Sequence, residues 1–519
     1  MLIPKALLKK IYNRSSLRNT VHGVRFSVKN RLAPARLKRI ESISLNGQAV
    51  DAPQVQVAVD SASPVSLDQL SAADAIDFPL GTLLTIHLAV PALEEGEHTI
   101  GLEFEAEPFG TLAFEVRDQL HTGTHDPGTV PRNSENDYSA DIIRARQEFV
   151  REQCGSELEH IRQFSFDPNS TRGNIEHLTG AAQIPLGVAG PLHVKGQHAQ
   201  GEFYVPMATT EGTLVASYNR GMKVIAESGG VQCAVVGDNM QRAPVFIFDD
   251  ASQARRFADW IVEHLDEIKA VCKESDPFVA LKYIDYYLVS KFLYTRFNFK
   301  TGDAAGMNMV GKATFAACNW ILQQCNDVEI KNFYLESNFA TDKKASMINS
   351  MRTRGKRVVA ECVVKRDVLQ NIMDADTESL YQHSKIATIG SMLSGANNNG
   401  AHAANGITAI FIATGQDVAN VAESSAGILY TELTDDKDLY ISITLPSLIV
   451  ATIGGGTGLA TQQESLKMLD CAGVGKVYKF AEIVAGTVLA GEISLAAAIS
   501  SLDWVSSHDQ YGRNDPTKG

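Results

Sequence analysis

The stretch AEIVAGTVLAGEISLAAAISSL, residues 481 to 502, constrains this chain more than any other. It approaches the run of about 20 apolar residues that can cross a bilayer, but Glu482 and Glu492 interrupt it. No uninterrupted apolar run in the sequence is long enough to span. The spacing reads instead as a helix buried in a protein core. A helix apolar nearly all round needs a large core around it. The chain can supply one, with 519 residues of which 44% are hydrophobic and 21% charged, an ordinary globular composition. That length suggests about three or four folding units.

The net charge of −13 argues against a general nucleic-acid binder and against an anionic membrane surface as partner, while permitting a local basic pocket for an anionic substrate. Seven cysteines stand at 154, 233, 272, 318, 325, 362 and 471, with no CxxC pair. An odd number without that spacing fits reduced thiols in a cytoplasm better than a disulfide framework or a zinc site. The N-terminal MLIPKALLKKIYNRSSLRN is basic and partly apolar. It lacks an h-region followed by a small-residue cleavage site, so it is not read as a signal peptide.

Residues 1 to 120 carry period-two alternation. Val24, Phe26 and Val28 face one way, as do Leu84, Ile86, Leu88 and Val90, then Ile100, Leu102 and Phe104, then Leu112, Phe114 and Val116. Ile43 and Leu45 precede the turn pair Asn46-Gly47. Short alternating strands between turns predict a β-sandwich. Residues 121 to 137 read as a linker by composition. Its His121 and His125 have a possible metal spacing but no further ligands nearby, so no metal site is expected. Beyond the linker, SADIIRARQEFVREQCGSELEHIRQF reads as an amphipathic helix. Helical patterns then alternate with apolar strands such as RVVAECVV and LYISITL, which is an α+β or α/β reading, with α+β the class adopted.

Four polar clusters stand out in this second part. The first lies in MATTEGTLVASYNRGM, with Glu211, Ser217, Asn219 and Arg220, and Arg242 further on. A lone acid before an apolar helical pattern has a plain explanation, the attraction of a helix start for negative charge. The second is ESNFATDKKASMIN, with Asp342, Lys343 and Lys344 between Phe339 and the apolar Met347 and Ile348. The third is ANNNGAHAANGITAIFIATGQDVAN, with His402, Asn405 and Asp417; His402 alone reads as a core histidine. The fourth is WVSSHDQYGRND, with Ser507, His508 and Arg513. Two glycine-rich stretches, TGDAAGMNMVGKAT and TIGGGTGL, offer backbone N–H groups to phosphates. Neither is GxGxxG or GxxxxGK[ST], so the usual dinucleotide and P-loop readings fail.

Taken in order, PLGVAGPL, MATTEGTLVAS, GDAAGMNM, TDKK, GAHAAN, GQD, GGGT and SSH resemble the 3-hydroxy-3-methylglutaryl-coenzyme A (HMG-CoA) reductases over about residues 140 to 519. GMNM and the SSH segment look most like the branch that includes the biosynthetic, NADPH-using enzymes, without the membrane anchor of the animal members. The resemblance implies reduction of a thioester to an alcohol by two hydrides, giving mevalonate and free coenzyme A. Lys343 would then stabilise the alkoxide, Glu211 supply a proton, Asp417 bridge the two, and His508 protonate the coenzyme A thiolate. Arg242, Asp342, Lys344 and Lys385 match positions around the dicarboxylate-derived end of the substrate. Ser217, Asn219, Arg220, His402, Asn405 and Ser507 match substrate or coenzyme A contacts. Asp303, Gly306, Met307 and Asn308, with Gly454, Gly455, Gly456 and Thr457, match the nucleotide site, and Arg513 an arginine reaching the 2′-phosphate of NADPH. NADH is the alternative cofactor.

The chain departs from the family pattern in places. Glu336-Ser337-Asn338 stands for Ser-Gly-Asn, Asp276-Pro277-Phe278 for Ser-Arg-Phe, DKKASMIN for DKKPAAIN, and Asn514 for a phosphorylatable serine. Residues before the linker resemble, less specifically, the small β subunit of C-glycoside-deglycosylating enzymes. The implied architecture is an N-terminal β-sandwich (1 to 120) and a linker (121 to 137). A substrate domain follows in two parts, 138 to 243 and 337 to 519, around a nucleotide-binding small domain at 244 to 336. A homo-oligomer with interfacial active sites is implied. Two other functions stay open: a reductase of a different acyl-coenzyme A, motivated by Glu336, and a binding or assembly protein working through its β module.

Overall fold

The alternating apolar residues of the first 120 positions form two all-antiparallel sheets in the computed structural model. It describes residues 8–14, 16–20, 22–60, 63–67, 75–120, 129–133 and 136–501. His121, His125, Ser507, His508, Arg513 and Asn514 lie outside the described residues. One sheet runs Arg18–Thr20, Gly23–Lys29, Leu83–Leu88, Val55–Val59, Val65–Ser66. In it Val24, Phe26 and Val28 pair with Leu88, Ile86 and Leu84. The other runs Gly110–Leu120, Gly96–Glu107, Ala35–Leu45, Gln48–Ala49, with Ile76–Phe78 beside Ala35–Leu45. There Ile100, Leu102 and Phe104 pair with Val116, Phe114 and Leu112. The register puts apolar partners opposite each other, so both sheets close on one core. Asn46 and Gly47 adopt φ of 53° and 79°, the left-handed pair that a tight hairpin requires.

Residues 130 to 519 form a second compact unit. Its first helix, Ala140–Cys154, starts where Ser139 accepts a hydrogen bond from the Ile142 N–H and ends at Gly155, φ 68°. The helical pattern expected to reach Phe164 therefore stops ten residues early, because a left-handed glycine turns the chain out of the helix. Arg146 on this helix is fully buried. Its guanidinium donates to the carbonyls of Pro131, Asp137 and Leu178. Residues 131 and 137, read as linker from composition, are thus tied to this unit.

The centre of the unit is a ten-stranded mixed sheet. Its main path runs Asn332–Tyr334, Val245–Ile247, Phe292–Lys300, Val231–Arg242, Gly355–Val364, Leu439–Leu448, Ile428–Leu433. Leu186–Gly196 joins Val231–Arg242 in parallel and carries Gln200–Ala208, while Ala280–Val289 pairs with Phe292–Lys300. The apolar C-terminal segment is the helix Val477–Ser500, long and apolar enough to cross a membrane but mostly buried inside the protein. The helix Leu214–Glu227 crosses it at Gly221. A Cβ there would lie 1.9 Å from the Ala490 carbonyl oxygen, so only glycine allows this approach.

The two glutamates of that helix are anchors. Glu482 accepts N–H bonds from Gln197, His198 and Ala199 at 3.1, 2.8 and 2.7 Å. Glu492 accepts from Ala401, His402 and Ala403 at 2.8, 2.8 and 2.9 Å. Both side chains are buried. Each satisfies three amides that a loop would otherwise bury without partners. Replacing Glu482 by Met should therefore lower the unfolding free energy by about 3 kcal/mol or more, since each stranded buried donor costs about 1–3 kcal/mol. Chemical denaturation checks it; a loss below about 1 kcal/mol would mean that water serves these amides instead.

Candidate active site

The segment from Glu336 to Lys344 leaves the strand Asn332–Tyr334 and holds three non-glycine residues at left-handed φ: Asn338 (66°), Thr341 (57°) and Lys343 (57°). Such conformations cost free energy and persist only when surroundings hold them. The Asn338 N–H donates to Glu336 Oε1 at 2.8 Å. Asn349 Nδ2 donates to the carbonyls of Thr341 and Lys344. The Lys343 N–H donates to Glu423 Oε1 at 2.9 Å. Lys343 Nζ then reaches Asp417 Oδ2 at 3.1 Å. The other Asp417 oxygen accepts from the Ala419 N–H, capping the short helix Val418–Asn420. Both charged side chains are part-exposed, so the pair adds little to stability. What it does is aim an ammonium outward from the loop. Asp342 pairs with Arg354 at 2.6 Å, and Lys344 Nζ donates to the Asp342 carbonyl.

Glu211 is not in a helix start. The helix begins at Leu214, after Thr213 at φ 69°. The Glu211 carboxylate instead accepts from Asn405 Nδ2 at 2.8 Å. Both residues line a cleft of ≈ 420 Å³ with Thr209, Thr210, Ala404 and Thr408. Asn405 lies in the first turn of Ala403–Thr414, the helix whose start Glu492 anchors. One turn along Leu214–Glu227, Ser217 Oγ meets Ser494 Oγ at 3.0 Å and His402 Nε2 at 3.4 Å, and Arg220 donates to Ser494. Asn219 accepts from the Gly190 N–H. His402 is buried and stacks on Tyr218; burial lowers its pKa to about 4. It is a neutral hydrogen-bonding group.

The two glycine-rich stretches meet. The Thr452 N–H donates to the Asp303 carbonyl at 2.9 Å. Gly454 and Gly455 adopt left-handed φ with open space where a Cβ would stand, while Thr457 Oγ1 donates back to the Gly454 carbonyl. Gly456 packs on Gly415, two residues before Asp417; a Cβ on Gly415 would lie 2.2 Å from the Gly456 oxygen. The Asp303 carboxylate is engaged by the N–H groups of Gly475, Lys476 and Val477, which start the long apolar helix. Its side chain is thus part of the frame of this turn. Gly306, φ 81°, opens the 18-residue helix Met307–Gln324, with Asn308 exposed in its first turn.

Arg242 links this helix to the loop above. It donates to the Met307 carbonyl at 2.9 Å and pairs with Glu336 at 3.2 Å. Lys385 stands apart on the helix Thr377–Ser394, its ammonium 3.8 Å from the Tyr381 ring centre. The structure therefore joins Lys343 to Asp417, Glu211 to Asn405, and Ser217 to His402. Through Gly415 and Gly456 it also sets the Asp417 turn against the Gly454–Gly458 turn. Sequence reading missed Glu423, Arg354 and Ser494. A lone acid in DVANVAESSAG was the available signal for the first; nothing local marks the others.

Residues 142–513 match the family model described as hydroxymethylglutaryl-coenzyme A reductase. The chain belongs to that family. Residues 7–121 match the model for the hydroxymethylglutaryl-CoA reductase N-terminal domain. The 3-hydroxy-3-methylglutaryl-coenzyme A reductase of Pyrococcus abyssi is 43% identical over 377 residues, 71% of this chain and 92% of that protein. That of Methanothermobacter thermautotrophicus is 41% identical over 376 residues, 72% of this chain and 94% of that protein. Among solved structures, the class II reductase from Streptococcus pneumoniae bound to NADPH in open conformations shares the fold, with TM-score 0.53 and 22% identity over 69% of this chain and 96% of that one. The fold of this family member is accordingly mixed α/β with several sheets.

The lowered pKa of His402 sets a stability test. The unfolded imidazole takes a proton below about 6.5, whereas the folded one resists until about 4. Stability is therefore undiminished above pH 6.5 and falls as pH drops toward 4, by roughly 3 kcal/mol in all. His402→Gln should remove that part of the slope in urea unfolding measured across this window. An unchanged slope would place the proton uptake elsewhere.

Proposed function

We propose that this chain reduces HMG-CoA to mevalonate and coenzyme A with NADPH as electron donor, in the cytoplasm. The observation that carries the reading is the Lys343–Asp417 pair at 3.1 Å, on a loop held in a costly conformation, in a member of this reductase family. Hydride addition to a carbonyl makes an alkoxide. A fixed ammonium stabilises that charge where it develops and needs no reorganisation to do so. In this reading Lys343 meets the oxygen, Asp417 holds the lysine, and Glu211, held by Asn405, gives the proton. His508 protonates the departing thiolate. Ser217 and Arg220, which both meet Ser494, and His402, which meets Ser217, contact the coenzyme A side, with Asn219 beside them and Ser507 from the C-terminal segment. Arg242, Asp342 and Lys344 face the acyl end, and Lys385, which stands apart within one chain, joins them only across the interface of a homo-oligomer.

The residues present fit a dinucleotide. The start of Met307–Gln324 has no side-chain cap and presents first-turn N–H groups at the positive end of a long helix, suited to phosphate. Gly454 and Gly455 leave room for close backbone approach. NADPH, when bound, supplies the hydride. This arrangement supports residues 244 to 336 as a nucleotide domain inserted into the substrate domain; Arg513, outside the described residues, is assigned the 2′-phosphate by the family resemblance alone. The apolar Ile386, Ile389, Met392 and Leu393, exposed on one helix, support a homo-oligomer.

Thioester-dependent oxidation of NADPH and NADH, run side by side, tests the function; no oxidation of either would sink it. Lys343→Ala should cut turnover by 100-fold or more, equivalent to about 3 kcal/mol in the barrier, with a smaller effect on KM because the ground-state carbonyl is neutral. Near-normal turnover would take Lys343 out of the mechanism. Glu336 now occupies Arg242, so a substrate carboxylate must compete for that guanidinium. Glu336→Ser should lower KM for HMG-CoA several-fold; an unchanged KM would mean that the substrate does not meet Arg242.

A further inference from the structure

Lys343 is gripped at two points by one short piece of chain. The helix Val418–Asn420 runs directly into the single turn Val421–Ser424. Asp417 precedes the first and Glu423 lies in the second. Asp417 takes the Lys343 ammonium at 3.1 Å. Glu423 Oε1 takes the Lys343 backbone N–H at 2.9 Å. The lysine's main chain is left-handed at that point, so the direction of its side chain depends on an outside hold rather than on local preference.

The Glu423 side chain is completely buried, and Arg354 beside it is 1% exposed. Arg354 Nε lies 3.4 Å from the same Glu423 oxygen, its Nη2 pairs with Asp342 at 2.6 Å, and its Nη1 donates to the Gln241 carbonyl. Among the described residues Glu423 Oε2 is buried without a hydrogen-bond partner. A buried ion pair with one oxygen unsatisfied is a poor way to stabilise a core; an apolar pair of similar volume would do as well or better. What it does supply is a fixed acceptor under Lys343 and a cation that also fixes the neighbouring Asp342.

We propose that Glu423 is a positioning residue for Lys343, and that Arg354 is the buried counter-ion that holds Glu423 and Asp342 in one clamp beneath the catalytic loop. The proposal rests on the reading of Lys343 as the group that meets the developing oxyanion. Asp417 and Glu423 hold the lysine from two directions, and neither Glu423 nor Arg354 touches substrate.

The test compares Glu423→Gln with Glu423→Leu in the full chain. Gln keeps an oxygen that accepts the Lys343 N–H; Leu removes it at similar volume. The Leu variant should lose about 100-fold or more in kcat, the scale expected when a reacting group is misplaced by about 1 Å. KM for thioester and nucleotide should stay within about threefold. The Gln variant should recover kcat to within about fivefold of wild type. Equal loss in both, or a loss that appears only in KM, would overturn the proposal. Amide hydrogen exchange gives a readout that needs neither turnover nor a folded Leu variant. In the wild-type protein the Lys343 amide should be protected at least about 100-fold over an unstructured chain; an unprotected amide would overturn the clamp. If wild type oxidises neither nucleotide with thioester, the functional reading falls while the exchange result still decides the clamp.

Discussion

Two carboxylates inside one apolar helix hold the larger unit together. Burying a charge is costly unless it is met by donors, and Glu482 and Glu492 are each met by three consecutive N–H groups. Burial raises the Glu492 pKa, while the three amides oppose that shift. Its donors stand at the start of Ala403–Thr414, where the helix dipole also favours negative charge. Fixing that start fixes His402 and Asn405, and through them Ser217 and Glu211. One wall of the candidate site is therefore set by a residue that takes no part in its chemistry.

The other wall depends on how closely backbones can approach. Gly415 against Gly456 puts the turn before Asp417 onto the Gly454–Gly458 turn, and no side chain could fit between them. Thr452 then ties that turn to Asp303, whose carboxylate caps the same apolar helix. The helix thus makes three separate carboxylate contacts, two of its own glutamates and one received, and each fixes a different loop. Rigid placement of loops by a buried scaffold is what allows side chains from distant segments to act together.

Much of this was legible in the sequence. Period-two alternation located the strands from Val24 to Val116, because side chains on one face of a strand must share one environment. The two glutamates in residues 481 to 502 favoured a buried core helix over a membrane span, without saying what they would bind. Periodicity could not place the end of the helix at Cys154, since Gly155 stops it while polar, helix-compatible residues continue beyond. The roles of Glu211 and Asp303 in the frame were illegible for a different reason. Their partners, Asn405 and the amides of 475 to 477, are 194 and 172 or more positions away, and no local pattern encodes a contact of that range. Glu423 and Arg354 were hidden likewise: Glu423 is a single acid among small and apolar neighbours, and Arg354 is one of four cations in RTRGKR, until the fold puts them together.

The polar groups around Arg242 show how far the site departs from what stability alone would select. The guanidinium is mostly buried, its Nε has no hydrogen-bond partner among the described residues, and its remaining nitrogens are divided between the Met307 carbonyl and Glu336. A cation placed for structure alone would satisfy every donor, since a stranded buried donor costs about 1–3 kcal/mol. This one instead joins the start of the helix Met307–Gln324 to the loop that carries Lys343. Glu336 spends one oxygen on Arg242 and the other on the Asn338 N–H, so the ion pair also braces the first left-handed residue of that loop. Displacing Glu336 from Arg242 would loosen the brace as well as free the cation. The pairing of Arg242 and the conformation of the lysine loop are in this way linked through a single carboxylate.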